Sequence, residues 1–444
     1  MKLKLLPFIL APLLTTAILP AHADDSAMMV LFKMLHDKGS IDDQEYALLL
    51  SAAKAEKKAD DEVKQQIATI TEEDEKSASV SVNGGHLKIK SADKEFEMKI
   101  GGRIMADYAF IDEDDFNGAG NHGNASEIRR ARLFAAGTVF TDWQYKAQFE
   151  FAGNGTSIKD MYIRYRGWNP AAITLGNQHV PFGLEQMTSS KYTTFIERSV
   201  ASDAFSLGRK NGLRFASGGE HWSLSAMAHL TGIDNDNSDQ DEDYGYGFRA
   251  TYAPIAEKTR SVHFGAAAHH QEYEKSGGVL KQLEIRPEVH SAGKLFSSFE
   301  DTVKSANTYG LELAGVYGPF SFQSEYARRE YNAISASKDQ SLDSWYAYAS
   351  YFITGESRVY KAKTGSFARV KPINQRYGAW EVALRYSELD LEDNGLGTKG
   401  DVTSLGLNWY ATPTIRFMAD YTTADVDGSA DDFDALHFRG QIDF

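Results

Sequence analysis

The last ten residues, ALHFRGQIDF (435–444), form the stretch that decides the fold. Apolar residues or glycine occupy every second position, at Leu436, Phe438, Gly440, Ile442 and Phe444. Polar residues fill the positions between them, at His437, Arg439, Gln441 and Asp443. A period of two is that of a β-strand with one apolar and one polar face, and Phe444 adds an aromatic residue at a membrane-interface position. The pattern predicts the final strand of a transmembrane β-barrel.

The same alternation recurs from residue 80 onward, for example at 96–110, 143–151, 222–230 and 380–386. Strands of a soluble sandwich also alternate, but they are usually shorter and have a solvated outer face. Here strands of roughly ten residues end in Tyr, Trp or Phe, which is typical of a lipid-facing band between aromatic girdles. The sequence therefore predicts an all-β transmembrane fold, an antiparallel outer-membrane β-barrel.

Strand counting gives about seventeen candidate strands between residues 95 and 444. A closed barrel with both ends in the periplasm needs an even number, so at least one candidate is wrong. The weakest is 281–290, because Pro287 interrupts it. We predict a 16-stranded barrel, a size that leaves an aqueous lumen.

Composition excludes several classes of protein. The 444 residues include 47 Lys and Arg, 62 Asp and Glu, and no Cys. The lack of cysteine rules out disulfide scaffolds, thiolate metal sites and cysteine nucleophiles. A net charge of −15 argues against nucleic acid as a partner, because nucleic-acid binding needs a basic surface. The only long apolar run lies at the N-terminus, so any role in a membrane must come from a barrel.

Three regions divide the chain. Residues 1–23 read as a signal peptide, with Lys2 and Lys4 before an apolar run and a small-residue cleavage site near Ala23. An uncleaved anchor is the less favoured alternative. Residues 24–78 have a helical period and are predicted to form a short periplasmic segment, and residues 79–444 form the barrel.

Two helices are predicted in the segment 24–78. Gly39 is placed to close the first helix, and Asp42 with Glu45 forms a capping box that starts the second. Apolar residues then recur at steps of mostly four and three, at Leu48, Ala52, Ala55, Ala59, Val63, Ile67 and Ile70. An alanine-rich coiled-coil seam and an amphipathic helix packed on its neighbour explain this spacing equally well.

Alternation along the first barrel strands places several charged side chains in the lumen. They are Arg103, Arg130, Arg132, Lys146, Asp160, Arg164, Arg166, Arg214 and Arg249. A single arginine is unremarkable in a polar lumen, but several on adjacent strands make a basic wall that concentrates anions. Guanidinium groups offer a planar fork that suits the oxygens of phosphate or carboxylate. Asp160 would orient these arginines or prevent them from holding an anion too tightly.

The stretch 181–209 lacks alternation and contains Lys191 and Arg198. Its apolar side chains favour packing inside the barrel, because a free loop would expose them to water. We predict that this stretch is a constriction loop, with Arg198 at or near the narrowest point.

Five segments together resemble the phosphate/polyphosphate-selective porin O and P family of outer-membrane porins. They occur in the same order as in that family and extend through nearly all of the predicted mature chain. The segments are GGHLKIKSADKEFEMKIGGRIMADY (84–108), SEIRRARLFAAG (126–137), VPFGLEQMTSSKYTTFIERS (180–199), YFITGESRVY (351–360) and WEVALRYSELDL (380–391).

This resemblance implies a homotrimer whose pores carry an arginine ladder, a central anion site and a periplasmic lysine cluster. Arg103 matches the first ladder arginine, Arg129 and Arg130 match the paired arginines of the central site, and Asp160 matches their acidic partner. Arg198 matches the constriction-loop arginine. The lysine cluster corresponds to Lys88, Lys90, Lys94 and Lys99. Alternation disagrees at one position, because it points Arg130 inward and Arg129 outward, unless the end of the strand is irregular.

Two departures favour an anion-permeable porin over strict phosphate selectivity. His179 stands where many members have a lysine, and the stretch 234–243 is acidic rather than basic. We therefore expect a channel for passive diffusion of small anions, phosphate or polyphosphate foremost, that contacts lipopolysaccharide in the outer membrane of a Gram-negative bacterium. A general non-selective porin and a structural or adhesive barrel are the alternatives.

An enzyme is not expected, and neither is a cofactor or a metal site. His269 and His270 form the one conspicuous histidine pair in the sequence, but adjacent strand residues point to opposite faces and cannot share a site. Scattered aspartates in the loops would at most bridge lipopolysaccharide through divalent cations.

Overall fold

The computed structural model describes residues 25–76, 78–113, 123–233, 242–274, 278–334, 339–428 and 432–444. The predicted signal peptide lies outside these residues. So do residues 114–115 of an acidic stretch at 112–115, and residues 234–241 of the acidic stretch 234–243. The described residues form two compact units, one within 25–76 and one from Ala78 to Phe444.

The first unit consists of two helices, α1 (Asp25–Asp37) and α2 (Asp43–Lys76). Gly39, between them, has a φ of 67°, a left-handed conformation that glycine adopts without strain. The capping box forms, because the Glu45 N–H donates to Asp42 at 2.8 Å and the Asp42 N–H donates to Glu45 at 3.0 Å. Leu48 and Val63 on α2 are exposed, and the coiled-coil seam stays a prediction. Among the described residues, no helix is both long and apolar enough to cross a membrane.

Twenty-three strands make up the described part of the second unit. In chain order they are β1 (Ser79–Asn83), β2 (His86–Lys90), β3 (Glu97–Glu113), β4 (Gly123–Val139), β5 (Trp143–Glu150), β6 (Ser157–Tyr165), β7 (Ala171–His179), β8 (Arg209–Gly218), β9 (Trp222–Leu230), β10 (Tyr244–Ala256), β11 (Arg260–Glu272), β12 (Val279–Lys281), β13 (Glu284–Ile285), β14 (Phe296–Ser297), β15 (Asp301–Tyr317), β16 (Phe320–Ala333), β17 (Gln340–Phe352), β18 (Val359–Lys361), β19 (Ser366–Ala368), β20 (Ala379–Asp390), β21 (Lys399–Tyr410), β22 (Ile415–Val426) and β23 (Asp432–Asp443). Two short helices, α3 (Leu184–Met187) and α4 (Val200–Ala204), and a 3-10 helix, Ala362–Thr364, lie in the connections.

Sixteen of these strands close an antiparallel barrel, which confirms the predicted fold and strand number. They are β3–β11, β15–β17 and β20–β23. Closure is made by β23 against β3, with Asp443 opposite Arg103 and Phe438 opposite Tyr108. The candidate strand 281–290 is wrong, because only the short strands β12 and β13 fall near it. β12 pairs with the start of β15 but ends at Lys281, and β13 pairs with β14 in a separate two-stranded sheet. β1 and β2 form a hairpin that pairs with the start of β3.

The two faces of the barrel differ as the alternation predicts. Outward positions carry exposed apolar side chains, such as Leu384 and Leu405, each 56% exposed. Inward positions are buried and largely polar, and they include the fully buried Glu381 and Asn408. An apolar outer band around a polar interior is the arrangement that a bilayer requires of a barrel.

The two rims of the barrel are also distinct. Six of the connections at the rim where β3 begins and β23 ends are turns of two to five residues. Outer-membrane barrels keep their short turns on the periplasmic side, so this is the periplasmic rim. The exception is the connection 353–378, which is long and contains β18, the 3-10 helix and β19. The other rim carries the longer loops and is the extracellular one.

Candidate functional site

The segment 180–208 between β7 and β8, named the constriction loop, lies inside the barrel. The backbone N–H groups of Leu184 and Glu185 each donate to the Glu325 carboxylate at 2.7 Å. The Ile196 N–H donates to Asp420 at 2.8 Å. These bonds satisfy backbone donors that an irregular segment would otherwise bury unpaired, so the loop is held in a fixed conformation.

Arginines of the barrel wall donate hydrogen bonds to backbone carbonyl groups of the same loop. Arg416 donates to the carbonyl oxygens of Thr193 and Thr194 at 2.6 and 2.9 Å, and Arg439 donates to Ile196 O at 2.5 Å. These wall residues belong to β22 and β23, and Glu325 belongs to β16. The constriction loop is thus fastened mainly to the half of the barrel from β16 to β23, which leaves open space beside β3–β8.

A second segment, the periplasmic connection 353–378, also bends into the lumen. The Gly365 carbonyl accepts a bond from Arg249 at 2.7 Å, and the Phe367 N–H donates to Thr188 of the constriction loop at 3.2 Å. Sequence reasoning missed this insertion. The motif YFITGESRVY (351–360) marked the segment only as a family resemblance, and the length of a connection on the short-turn side was the signal available.

Between the constriction loop and strands β3–β8 lies a cavity of about 230 Å³. Six of its lining residues are cationic, and one is a carboxylate, Asp160. The cationic residues are Arg103, Arg130, Arg132, Lys146, Arg198 and Arg209. Gln148, His179 and the loop residues 186–190 complete the lining. This concentration of positive charge in a confined space makes the cavity attractive to anions.

Acidic partners neutralise only part of this charge. Asp160 accepts from Lys146 at 2.5 Å and from Arg209 at 2.7 Å, and Glu150 pairs with Arg132 at 2.5 Å. Within the described residues, Arg103 and Arg198 have neutral hydrogen-bond partners.

Arg103 donates to the Ser190 hydroxyl at 2.8 Å. Arg198 donates to the carbonyl oxygens of Glu185 and Thr188 at 3.0 and 3.1 Å. Neither guanidinium group is therefore hydrogen-bonded to a carboxylate of the described residues.

Arg129 and Arg130 both reach the lumen, so the outward orientation that alternation gave Arg129 is wrong. A β-bulge explains the difference, because Met105 pairs with Arg130 whereas the next residue, Ala106, pairs with Ile128. Arg129 is the extra residue, and it donates to Glu197 of the constriction loop at 2.8 and 3.0 Å.

Arg130 lies 3.7 Å from the Glu197 carboxylate, and its Nε has no hydrogen-bond partner among the described residues. A buried donor without a partner is costly, so this Nε is suited to a mobile acceptor.

Glu197 is the carboxylate that lies among Arg129, Arg130 and Arg439. Burial raises the pKa of its carboxyl, but the guanidinium groups of Arg130, Arg439 and Arg129 outweigh burial and hold the pKa well below its usual value. Glu197 therefore stays ionised and keeps the constriction loop tied to Arg129 and Arg439.

Other residues expected to bind anions lie outside the cavity. Arg164 and Arg214 bond to the hydroxyls of Thr174 and Ser225, at 2.9 and 2.6 Å, nearer the periplasmic rim. Arg249 donates to both oxygens of Glu312, at 2.7 and 2.6 Å, and Lys191 pairs with Asp443 at 3.2 Å.

The predicted lysine cluster lies at the start of the barrel. Lys88 and Lys90 pair with Glu97 at 2.8 and 3.4 Å, and Lys99 is opposite Lys88 in the sheet. Lys94 is exposed in a turn with a φ of 62°. Sequence reasoning left Lys146 and Arg209 out of the anion site itself, although alternation placed Lys146 in the lumen.

An antiparallel barrel of sixteen strands, with an apolar outer band and a basic cavity beside an inserted loop, is the architecture of an outer-membrane porin. The sequence profile described as "Phosphate-selective porin O and P" matches residues 98–444. The chain belongs to the phosphate-selective porin O and P family and is an integral outer-membrane channel for small anions.

Individual relatives agree with this assignment. The chain is 32% identical to Porin O of Pseudomonas aeruginosa over 383 residues, which cover 77% of this chain and 86% of the relative. Among solved structures, the anion-selective porin of Comamonas acidovorans matches with a TM-score of 0.52 and 12% identity over 79% of this chain and 100% of the other. The trimer form of OmpT of Vibrio cholerae matches with a TM-score of 0.50 and 12% identity over 78% and 99%. At these identities the structural matches show the fold alone.

Proposed function

We propose that this porin lets phosphate and short polyphosphates cross the outer membrane by passive diffusion, with transient binding in the basic cavity. The observation that carries the proposal is the excess of cationic groups around the cavity, together with the Nε of Arg130, which has no hydrogen-bond partner in the described part of the chain. A phosphate oxygen can accept a hydrogen bond from this donor, and this bond replaces one that the phosphate makes to its hydration water. The same fork geometry makes arginine, rather than lysine, the suited residue here.

Release depends on the groups that limit this attraction. Asp160 neutralises part of the charge of Lys146 and Arg209, so an anion is not held too strongly to leave. Arg164 and Arg214 offer further cationic contacts nearer the periplasmic rim. The positive charge of the lysine cluster at Lys88, Lys90, Lys94 and Lys99 would then attract the anion toward the periplasm.

The proposal extends to the assembly and surroundings of the channel. The Vibrio cholerae OmpT structure is described as a trimer form, and we propose a homotrimer for this chain as well. Lipopolysaccharide would contact the outer face near the extracellular rim. The helices α1 and α2 would lie in the periplasm.

The test is a recording in planar bilayers across a KCl gradient, followed by titration with phosphate. We expect an anion-selective reversal potential and a chloride current that phosphate blocks. Anion selectivity without block would leave a general anion porin, to which the neutral His179 in the cavity wall would contribute. A cation-selective reversal would contradict the proposal.

Asp160→Asn is expected to lengthen phosphate residence in the channel by about tenfold, since it releases one ammonium and one guanidinium group toward the bound anion. The current carried by phosphate at saturating concentration should fall accordingly, because exit becomes slower. Single-channel residence times measure both effects. A shorter residence would mean that Asp160 orients the cations rather than weakening them.

A further inference from the structure

The carboxylate of Asp443 joins two lumen segments that come from opposite rims. Asp443 is buried on β23 and accepts from Arg369 of the periplasmic connection, with Nη1 to Oδ1 at 3.0 Å and Nη2 to Oδ2 as a second contact. Lys191 of the constriction loop donates to the same Oδ2 at 3.2 Å. One carboxylate therefore pairs with two cationic groups, and Asp443, Lys191 and Arg369 together carry one net positive charge.

This group adjoins the basic cavity. Asp443 is directly opposite Arg103 across the β23–β3 pair, and Arg103 lines the cavity. Lys191 follows Ser190, whose hydroxyl accepts from Arg103. Because β23 ends and β3 begins at the periplasmic rim, the group lies on the side of the cavity through which an anion leaves for the periplasm.

We infer that Asp443 is a counter-charge that sets how long an anion stays at the periplasmic end of the cavity. The inference rests on the proposed function, because it assumes that anions bind in the cavity. Lys191 and Arg369 would form a strong trap beside Arg103 if their charge were not reduced. Passage through a channel requires a last site that binds weakly enough to release, and Asp443 supplies that weakening.

A purely structural role is the competing explanation, in which Asp443 only fastens the two segments. The two roles make opposite predictions. Asp443→Asn raises the local charge by one unit, whereas Lys191→Met lowers it by one unit. Both substitutions break the same contact, so a fastening role would move any measured property in the same direction.

The experiment measures phosphate residence times in single channels, with phosphate added to either side. We expect residence to lengthen about fivefold in Asp443→Asn and to shorten about fivefold in Lys191→Met, the size of effect expected of one unit charge nearby in a hydrated site. The double variant restores the local charge and should return close to the wild-type value. Recordings at pH 6 favour the protonated form of Lys191, since burial lowers its pKa.

Glu257→Gln is the matched control, because it removes an exposed acid from a short turn at the same rim, where Glu257 pairs with Arg260 at 2.8 Å. It should leave residence unchanged. If Asp443→Asn does not assemble, Arg369→Lys replaces it, because it keeps the charge but loses the two-oxygen contact with Asp443. A counter-charge role leaves residence in Arg369→Lys unchanged, whereas a fastening role changes it in the same direction as in Lys191→Met.

Shifts of the same sign in Asp443→Asn and Lys191→Met would overturn the counter-charge role, as would a residence in Arg369→Lys that shortens as in Lys191→Met. A wild-type channel that phosphate does not block would instead contradict the proposed function. The two failures are therefore distinguishable.

Discussion

We expect the Arg130→Met channel to lose 10- to 100-fold of its affinity for phosphate, measured as the concentration that halves the chloride current. A hydrogen bond to a charged group contributes about 1.5–3 kcal/mol, and the Nε of Arg130 is buried at the cavity with no partner among the residues that the structure describes. Methionine has a similar length and fills the space without donating. The loss should therefore come from the missing donor and charge rather than from a collapsed wall.

The fold should survive this substitution. Glu197 keeps its bonds to Arg129 at 2.8 Å and to Arg439 at 2.6 Å, so the constriction loop stays attached. Arg130→Lys is the informative companion, because it preserves charge but loses the planar fork, and we expect an intermediate affinity.

Arg260→Met, in an exposed ion pair on a periplasmic turn, is the matched control and should bind phosphate as the wild type does. Equal block in Arg130→Met and Arg260→Met would remove Arg130 from the anion site.

The barrel itself could be predicted from the sequence because its cause is local. Every second residue of β23 must face lipid, so apolar residues alternate with polar ones along its sequence. The same rule places Arg103 and Arg132 correctly in the lumen. It fails at Arg129, because a bulge inserts one residue into β4 and leaves no mark in the hydrophobic pattern.

Alternation also cannot tell which lumen arginines are available to an anion. Arg249 and Arg103 look equivalent in the sequence, since both are inward residues of barrel strands. In the structure Arg249 is bound to Glu312 and to Gly365 of the periplasmic connection, whereas Arg103 bonds to a serine hydroxyl. The difference arises from the segments that enter the lumen. Their backbones are irregular, so their sequences have no periodic hydrophobic pattern from which their position could be predicted.

Arg385 is the clearest case of an arginine that holds the inserted segments. It is buried on β20 and donates to Glu288 through Nε at 2.9 Å and through Nη2, and to the Glu197 carbonyl at 3.1 Å. Its guanidinium carbon lies 4.2 Å from the centre of the Phe195 ring. Glu288 belongs to the extracellular connection between β11 and β15, so Arg385 joins two loops to the barrel wall.

Arg385→Met should lower the free energy of unfolding by about 3–5 kcal/mol, the cost of leaving one partner of a buried ion pair without its counter-charge. The backbone pairing of β20 with β17 and β21 is unaffected by the change of side chain. The cost therefore falls on the loops, and we expect them to move away from the wall. Single-channel conductance should rise and phosphate block should weaken, while the barrel still forms.

The double variant Glu288→Gln/Arg385→Met separates charge from packing. Removing both charges of a buried pair is far less costly than removing one, so the double variant should recover much of the lost stability. Glutamine keeps one accepting oxygen, to which the Val200 N–H and the Ser387 hydroxyl can still donate, and its amide N–H can donate to the Ser404 hydroxyl. If the double variant were no more stable than Arg385→Met, the packing of Arg385 on Phe195, rather than its charge, would be what keeps the loops inside the barrel.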